Sequence, residues 1–419
     1  MGLLDGSDSK SNKFAQNNTL RFALNFLAFF IKIIFAFLLS VLIANSYSQI
    51  DFVKWSIFFS ISMIVSTSDL GVGQLVLTSL NNAREENEKI LNILSQGFNT
   101  LLFLSILAFL IGFFLLKIVG FTFFMSLLLS GIISIRIPFI LYSAYLQFCD
   151  RIHERRLVEA ASFLVGTLTA FFLVEANATI NTILISINII FSAFCLIFYY
   201  RSYQLGIPKL SWKQEYRIRG FILLAAPYFI NNVTGLITYG GFIFFLSLVL
   251  YPEQIAFLSI FHAVIFGLGY QFFEYLFRFF QLTINKRRIY QNMLIVLITF
   301  FIAALFGASL IGKSLLELLY KNYTFETYTI LYFIFYSFLE YFFQLGNIRI
   351  QMNYFLKRTL ISISLIRISV FILICFCLNL FKLKNLDFII LLLSLGPIIG
   401  ILCNGIFLYR NNDRNIYDY

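Results

Sequence analysis

The sequence predicts an all-α integral membrane protein of about twelve transmembrane helices, arranged as two six-helix lobes around a central cavity. Three observations carry that expectation. First, 60% of the 419 residues are hydrophobic and only 12% charged, and mean hydropathy is +0.87, a balance that no water-soluble domain sustains. Second, apolar runs recur that match the roughly 20 residues a helix needs to cross a hydrocarbon layer of about 30 Å. The short alternating segments of an outer-membrane barrel are missing. Third, 21 of the 31 Lys and Arg residues fall on alternate loops with both termini, against 6 on the opposite loops and 4 inside spans. That asymmetry is the positive-inside pattern and places both termini in the cytoplasm. The net charge of +11 therefore sets topology, and nucleic acid is excluded as a partner.

Taken in order, the expected spans are 20–44, 53–79, 92–116, 120–147, 157–175, 180–200, 221–250, 254–282, 289–312, 326–348, 359–380 and 386–409. Residues 1–19 form a polar cytoplasmic tail. The run that follows is too long for a signal-peptide core and lacks a small-residue cleavage site, so it is expected to remain as the first span. The widest break in hydropathy is the basic cytoplasmic linker 201–220, with Pro208, Trp212 and five cationic residues. It divides an N-lobe, 20–200 with helices 1–6, from a C-lobe, 221–409 with helices 7–12, and 410–419 is a short cytoplasmic tail. The five cysteines sit at or within spans; Cys375 and Cys377, two apart on a helix, face nearly opposite ways, so neither a disulfide framework nor a metal site is expected.

The halves echo each other. Each opens with a span carrying mid-length Asn residues, Asn25 in one and Asn231 and Asn232 in the other. Each then turns through a similar short sequence, Tyr47-Ser48-Gln49-Ile50-Asp51-Phe52 and Tyr251-Pro252-Glu253-Gln254-Ile255-Ala256-Phe257. Six spans per half give both copies the same orientation, the plan of a transporter built from parallel repeats. The polar tail, Asn25 and Lys32, the first turn, then Asp69-Leu70-Gly71-Val72-Gly73 and Leu80-Asn81-Asn82, together with Pro252-Glu253-Gln254, resemble the Wzx-type polysaccharide flippases of the multidrug/oligosaccharidyl-lipid/polysaccharide exporter superfamily. The resemblance extends over most of the chain. It implies a cavity lined by the first, second, seventh and eighth spans, with Lys32 and Arg278 facing it.

Charges inside the spans are the candidates for function, because a cation in hydrocarbon costs about 2.5–3.5 kcal/mol or more. Lys32 lies near the middle of the first span, one heptad after Asn25, too deep to snorkel easily; it is a candidate cavity cation or one half of a structural ion pair. In the eighth span Gly267, Gln271, Glu274, Arg278, Gln281 and Asn285 recur at steps of three or four and share one helix face. Glu274 and Arg278 either pair along the helix, or Arg278 forks onto phosphate oxygens while Glu274 holds it or exchanges protons. In the tenth span Tyr332, Tyr336, Glu340, Gln344 and Asn347 follow one another on one face. Glu340 is a candidate proton carrier or an interhelical hydrogen-bonding position, and Tyr336 a surface on which sugars stack. Arg136, before Pro138, and Arg367, among Ser362, Ser364 and Ser369, complete the set, with Arg367 within snorkelling reach of the cytoplasm. Pro227, Asn231, Gly235 and Gly240-Gly241 loosen the seventh span and make it a candidate hinge. Asp69 and Glu159 read as packing positions, His262 as packed among neighbours, and the run Asp150 to Arg156 as a topology signal.

These residues point to a flippase moving an undecaprenyl-pyrophosphate-linked oligosaccharide, an O-antigen or capsule repeat unit of lipopolysaccharide and polysaccharide biosynthesis, by alternating access. The direction expected is from the cytoplasmic to the outer leaflet of the bacterial inner membrane. With the cytoplasm negative by about 100 mV, exporting two negative charges is aided by roughly 4–5 kcal/mol, so the membrane potential is one drive and H+ or Na+ antiport through Glu274 or Glu340 another. Membrane lipids and the polysaccharide polymerase machinery are the expected partners, and no cofactor is called for. A multidrug/cation antiporter of the same superfamily is the nearest alternative; it calls for acids in the cavity, whereas intramembrane bases are at least as numerous here. A membrane polysaccharide polymerase or ligase is a second alternative, disfavoured by the short external loops. The sequence contains no nucleophile–base pairing, P-loop or glycine fingerprint.

Overall fold

The computed structural model describes residues 7–83, 86–208, 210, 220–225, 241–264, 286–351, 357–383 and 385–411. Among these residues the chain is helical throughout, with no β-strand. The first half contains α1 (Ser7–Ser46), α2 (Gln49–Ser66), α3 (Val72–Asn82), α4 (Asn87–Ile118), α5 (Phe123–Ser134), α6 (Ile140–Phe148), α7 (Ile152–Glu175) and α8 (Ile180–Gln204). The second half contains α9 (Phe242–Ser247), α10 (Pro252–Phe261), α11 (Lys286–Gly307), α12 (Lys313–Leu319), α13 (Thr327–Gln351), α14 (Lys357–Phe381), α15 (Leu386–Leu393) and α16 (Leu395–Asn411). Ten stretches among the described residues are long and apolar enough to cross a membrane, and they coincide with ten of the twelve expected spans. The expected spans 221–250 and 254–282 lie only in part within the described residues. The protein is a multi-pass, all-α membrane protein.

Local sequence explains where the helices start and stop. Thr122, Thr179 and Asn385 accept hydrogen bonds from the backbone N–H three residues on, at 3.4, 3.3 and 3.1 Å, capping α5, α8 and α15. Pro252 occupies the first turn of α10, where its missing N–H costs nothing, and the Tyr251 N–H donates to the Gln254 side chain at 3.1 Å. Gly120, with φ +88°, closes α4 by letting the Phe121 N–H donate back to the Leu116 carbonyl at 3.1 Å.

Three spans expected as single helices are interrupted. Prolines account for two. Pro138 cannot donate to the carbonyl of Ser134, the last residue of α5, and Pro397 cannot donate to Leu393, the last residue of α15. The expected fourth and twelfth spans are therefore α5 with α6 and α15 with α16. The second breaks at Thr67–Asp69, followed by Leu70 and Gly71 with φ of +51° and +76°, so 53–79 is α2 and then α3. In the expected ninth span α11 continues through one π-helical turn, Ala308–Gly312, into α12. At its start, α1 reaches back to Ser7, so most of the polar stretch ahead of the first span is helical.

The chain divides into two compact units. One comprises residues Met1–Leu39 and Gly71–Ala225, the other Ser40–Leu70 and Ala226–Tyr419. Within the first, α4 packs on α5 and α7 on α8, with Gly166 so close to Phe191 that an added Cβ would sit 3.1 Å from the ring. Within the second, α2 packs on α9 and α10, while α16 lies against α13 and α14. Large apolar side chains such as Phe124, Phe172, Phe306 and Leu318 remain two-thirds exposed, as expected of surfaces bathed in acyl chains.

Candidate functional site

Among the described residues, polar chemistry inside the spans concentrates in three places. The first is built by α1 and α7. The Lys32 ammonium donates to Glu159 Oε2 at 2.9 Å, Arg155 Nε to Oε1 at 2.8 Å, and Arg156 lies 3.8 Å from Oε2. Arg155 and Arg156 precede Glu159 by four and three residues, the spacing that lays them on one helix face, whereas Lys32 arrives from 127 residues away. Its ammonium also lies 5.7 Å from the Phe163 ring centre. Further along the same pair of helices the Thr167 hydroxyl donates to the Phe35 carbonyl at 3.0 Å, fixing their register. The four charged side chains are each between 19% and 31% exposed, so the cluster is only partly buried. One carboxylate shared by three cations leaves these four residues with a net positive charge. Asn25, one heptad before Lys32, has its Oδ1 buried without a hydrogen bond.

The second place is the break between α5 and α6. Arg136 Nε donates to the Ser192 hydroxyl at 2.9 Å, and Nη2 donates to the Asn188 carbonyl at 2.8 Å and to its side-chain oxygen at 2.6 Å. The guanidinium lies 5.6 Å from the Phe191 ring centre. Ser192 in turn donates to the Ile132 carbonyl at 2.9 Å, so Arg136 ties the broken end of α5 to the middle of α8 with neutral partners only. Its donors are turned into the protein, as in a brace.

The third place lies in the second unit, where Glu340 of α13 and Arg367 of α14 form a buried ion pair. They are 1% and 6% exposed, which rules out snorkelling by Arg367 to the cytoplasmic surface. The guanidinium stacks over Phe343, 4.0 Å from the ring centre. Tyr336, one turn before Glu340, stacks on Phe242 with ring centres 6.2 Å apart, and His262 stacks on the same Phe242 at 5.9 Å, packed among neighbours as its sequence position implied. Glu340 Oε2 and Arg367 Nε and Nη1 are buried without hydrogen-bond partners. Beside them is a cavity of about 20 Å³, lined by Phe242, Tyr336, Glu340, Arg367, Phe371 and Pro397 among others. It has room for a water molecule but none for a sugar or a diphosphate. Close packing closes the site further: an added Cβ at Gly400 would meet Phe343 at 2.6 Å and the Arg367 side chain at 3.1 Å.

Of the ten site candidates, Lys32, Asn25, Arg136, Tyr336, Glu340 and Arg367 have described surroundings, while Asn231, Gln271, Glu274 and Arg278 lie outside the described residues. Glu340 and Arg367, singled out separately, are partners of each other. Glu159, read in the sequence as a packing position, and Arg155 and Arg156, read as part of a topology signal, join the site, their i, i+3 and i+4 spacing being the available signal; Asn188, Ser192 and Phe343, which carried none, were passed over. Among the described residues no group of three or more His, Cys, Asp or Glu residues could hold a metal ion.

No protein-family model matches the sequence, and no curated protein matches it. Solved structures do. A multidrug resistance MATE family transporter of the MOP superfamily, in an inward-facing conformation, aligns with a TM-score of 0.64 at 10% identity over 94% of this chain and 99% of that one. The lipid II flippase MurJ, inward closed, aligns with a TM-score of 0.62 at 15% identity over 93% and 87%. A MOP superfamily transporter from Pyrococcus furiosus, whose binding pocket has reversed polarity, gives 0.57 at 11% identity over 94% and 96%. These are transporters and a flippase, not enzymes, and at such identities the likeness is one of fold: this chain has the fold of MOP superfamily transporters.

Proposed function

We propose that the protein is a flippase that carries a polyprenyl-diphosphate-linked oligosaccharide, of the undecaprenyl-pyrophosphate type that delivers O-antigen or capsule repeat units, between membrane leaflets by alternating access. The halves 20–200 and 221–409 supply its two moving lobes, with Ser40–Leu70 of the first half moving with the second. The observation that carries this reading is the Glu159 cluster. Three cations meet at one carboxylate inside the first unit, at 2.8, 2.9 and 3.8 Å, and Glu159 balances only one of them. An organic cation finds no free acid in the cluster, since Glu159 is already surrounded by three cations. A diphosphate, by contrast, gains from the surplus charge, with Arg155 and Arg156 offering planar forks suited to its oxygens. The likeness to MurJ supports a lipid-linked substrate class. Driving force comes from the membrane potential, with H+ or Na+ coupling as the second source.

Multidrug export is the rival, because the same fold serves MATE transporters. Proteoliposomes separate the two. Purified protein is reconstituted with undecaprenyl-diphosphate carrying a fluorescent N-acetylglucosamine, and translocation is followed by dithionite quenching, with ethidium uptake measured in parallel. The expected result is lipid translocation that slows at least about ten-fold, some 1.4 kcal/mol, when Lys32→Ala is combined with Arg155→Gln. Ethidium transport without lipid translocation, or an undiminished rate in the double variant, rejects the reading.

A further inference from the structure

We propose that the junction between Asn45, at the end of α1, and the turn 319–322 is a latch that parts and re-forms during the transport cycle. The reading rests on transport by moving units, but not on the identity of the substrate. The junction is made by both ends of one side-chain amide. Asn45 Nδ2 donates to the Leu319 carbonyl at 2.7 Å, and the Lys321 N–H donates to Asn45 Oδ1 at 2.9 Å. Asn322 Nδ2 answers from the other side, donating to the Ala44 and Asn45 carbonyls at 3.4 and 3.3 Å, which an isolated helix end leaves unsatisfied.

Beneath these bonds sits an aromatic plug to which both echoing turns contribute. Phe52, from the first turn, and Phe257, from the second, each meet Tyr323 edge-on, with ring centres 6.1 and 5.9 Å apart. Tyr320 beside them is fully buried. Burial pushes the Tyr320 phenol up to about 12, the Ser40 hydroxyl pulling the other way, and pushes Tyr323 up to about 12 as well. The bonding groups of the junction are thus neutral throughout the physiological range, and their bonds are of a kind that water can replace.

The case for a latch, and against a permanent weld, comes from the path of the chain. α1 is one uninterrupted helix without Gly or Pro, yet its residues up to Leu39 belong to the first unit and those from Ser40 to the second. Such a helix has no cheap place to bend. The chain recrosses at Leu70 and Gly71, where two successive positive φ angles break the expected second span and leave α2 in one unit and α3 in the other. If the units shift, the break at 67–71 accommodates α2 and α3, but the stiff α1 cannot follow both bodies. Its distal end must give way, and the bonds of Asn45, Ala44 and Asn322 are among those that hold that end to the second half of the chain.

The test uses Ala44→Cys, buried under the junction, as reporter in a protein whose five native cysteines are replaced by Ser, with labelling by a membrane-impermeant maleimide. Asn45→Ala and, separately, Asn322→Ala are expected to raise the labelling rate about five-fold or more, the effect of losing one or two neutral hydrogen bonds from a closed state. A rate unchanged in both variants overturns the latch. Should Asn45→Ala fail to fold, Asn322→Ala alone decides in the same way. A bifunctional cross-link between Asn45→Cys and Asn322→Cys is expected to abolish transport of whichever substrate the protein moves, with recovery on cleavage; full transport by the cross-linked protein overturns it too. Loss of lipid translocation with intact latch opening would instead count against the proposed substrate.

Discussion

Glu159 and Glu340 are both carboxylates inside spans, and their surroundings differ in kind. Glu159 is shared by Lys32, Arg155 and Arg156 and is about one-fifth exposed, whereas Glu340 meets Arg367 alone and is almost wholly buried. One cluster is overcharged and partly exposed; the other is matched and buried. A surplus of charge on an exposed face can be shared with a passing anion at little cost. A one-to-one pair in a cavity of about 20 Å³ has nothing to share, and removing either partner strands the other in a medium that cannot solvate it. Intramembrane charge by itself is therefore a poor marker of substrate contact, and the ratio of partners is a better one.

The contrast can be broken most directly at Arg367. Arg367→Leu leaves Glu340 buried without its counter-charge and is expected to cost about 3–5 kcal/mol of stability, read as a fall in the unfolding midpoint in detergent. The double variant Glu340→Leu/Arg367→Leu is expected to recover most of that loss; if it does not, the pair is not the closed unit described. A smaller effect is expected at Gly400, where a methyl group would press on Phe343 and through it on the guanidinium above. Gly400→Ala should cost about 1–3 kcal/mol in the same measurement, and no change would mean that the ring has room to retreat. The smallest stability effect belongs to Lys32→Ala, because Glu159 keeps two arginines. A loss within about 1 kcal/mol is expected, and one comparable to that of Arg367→Leu would show the first cluster to be as structural as the second.

Much of this was legible along the chain. The apolar runs carry most of the architecture, although Pro138 and Pro397 break spans that the hydropathy runs together as single helices. Lys32, Arg136, Glu340 and Arg367 stand out in any reading because charge is rare in a span. Their partners do not. Glu159 lies 127 residues from Lys32, Asn188 and Ser192 lie more than 50 residues from Arg136, and Arg367 lies 27 residues from Glu340 on another helix. Nothing in spacing or periodicity connects residues on separate helices whose faces meet only after packing.

The sequence by itself determined that this chain lives in a membrane as a bundle of helices, because hydropathy and charge bias act on each segment regardless of its neighbours. Only the tertiary structure decided that Glu159 would gather three cations while Glu340 received one. It decided as well that the end of α1 would be fastened to a turn some 275 residues later, through bonds of Asn45 and Asn322. Hydrogen bonds and ion pairs depend on distances of a few ångströms, and those are fixed by which helix faces pack together.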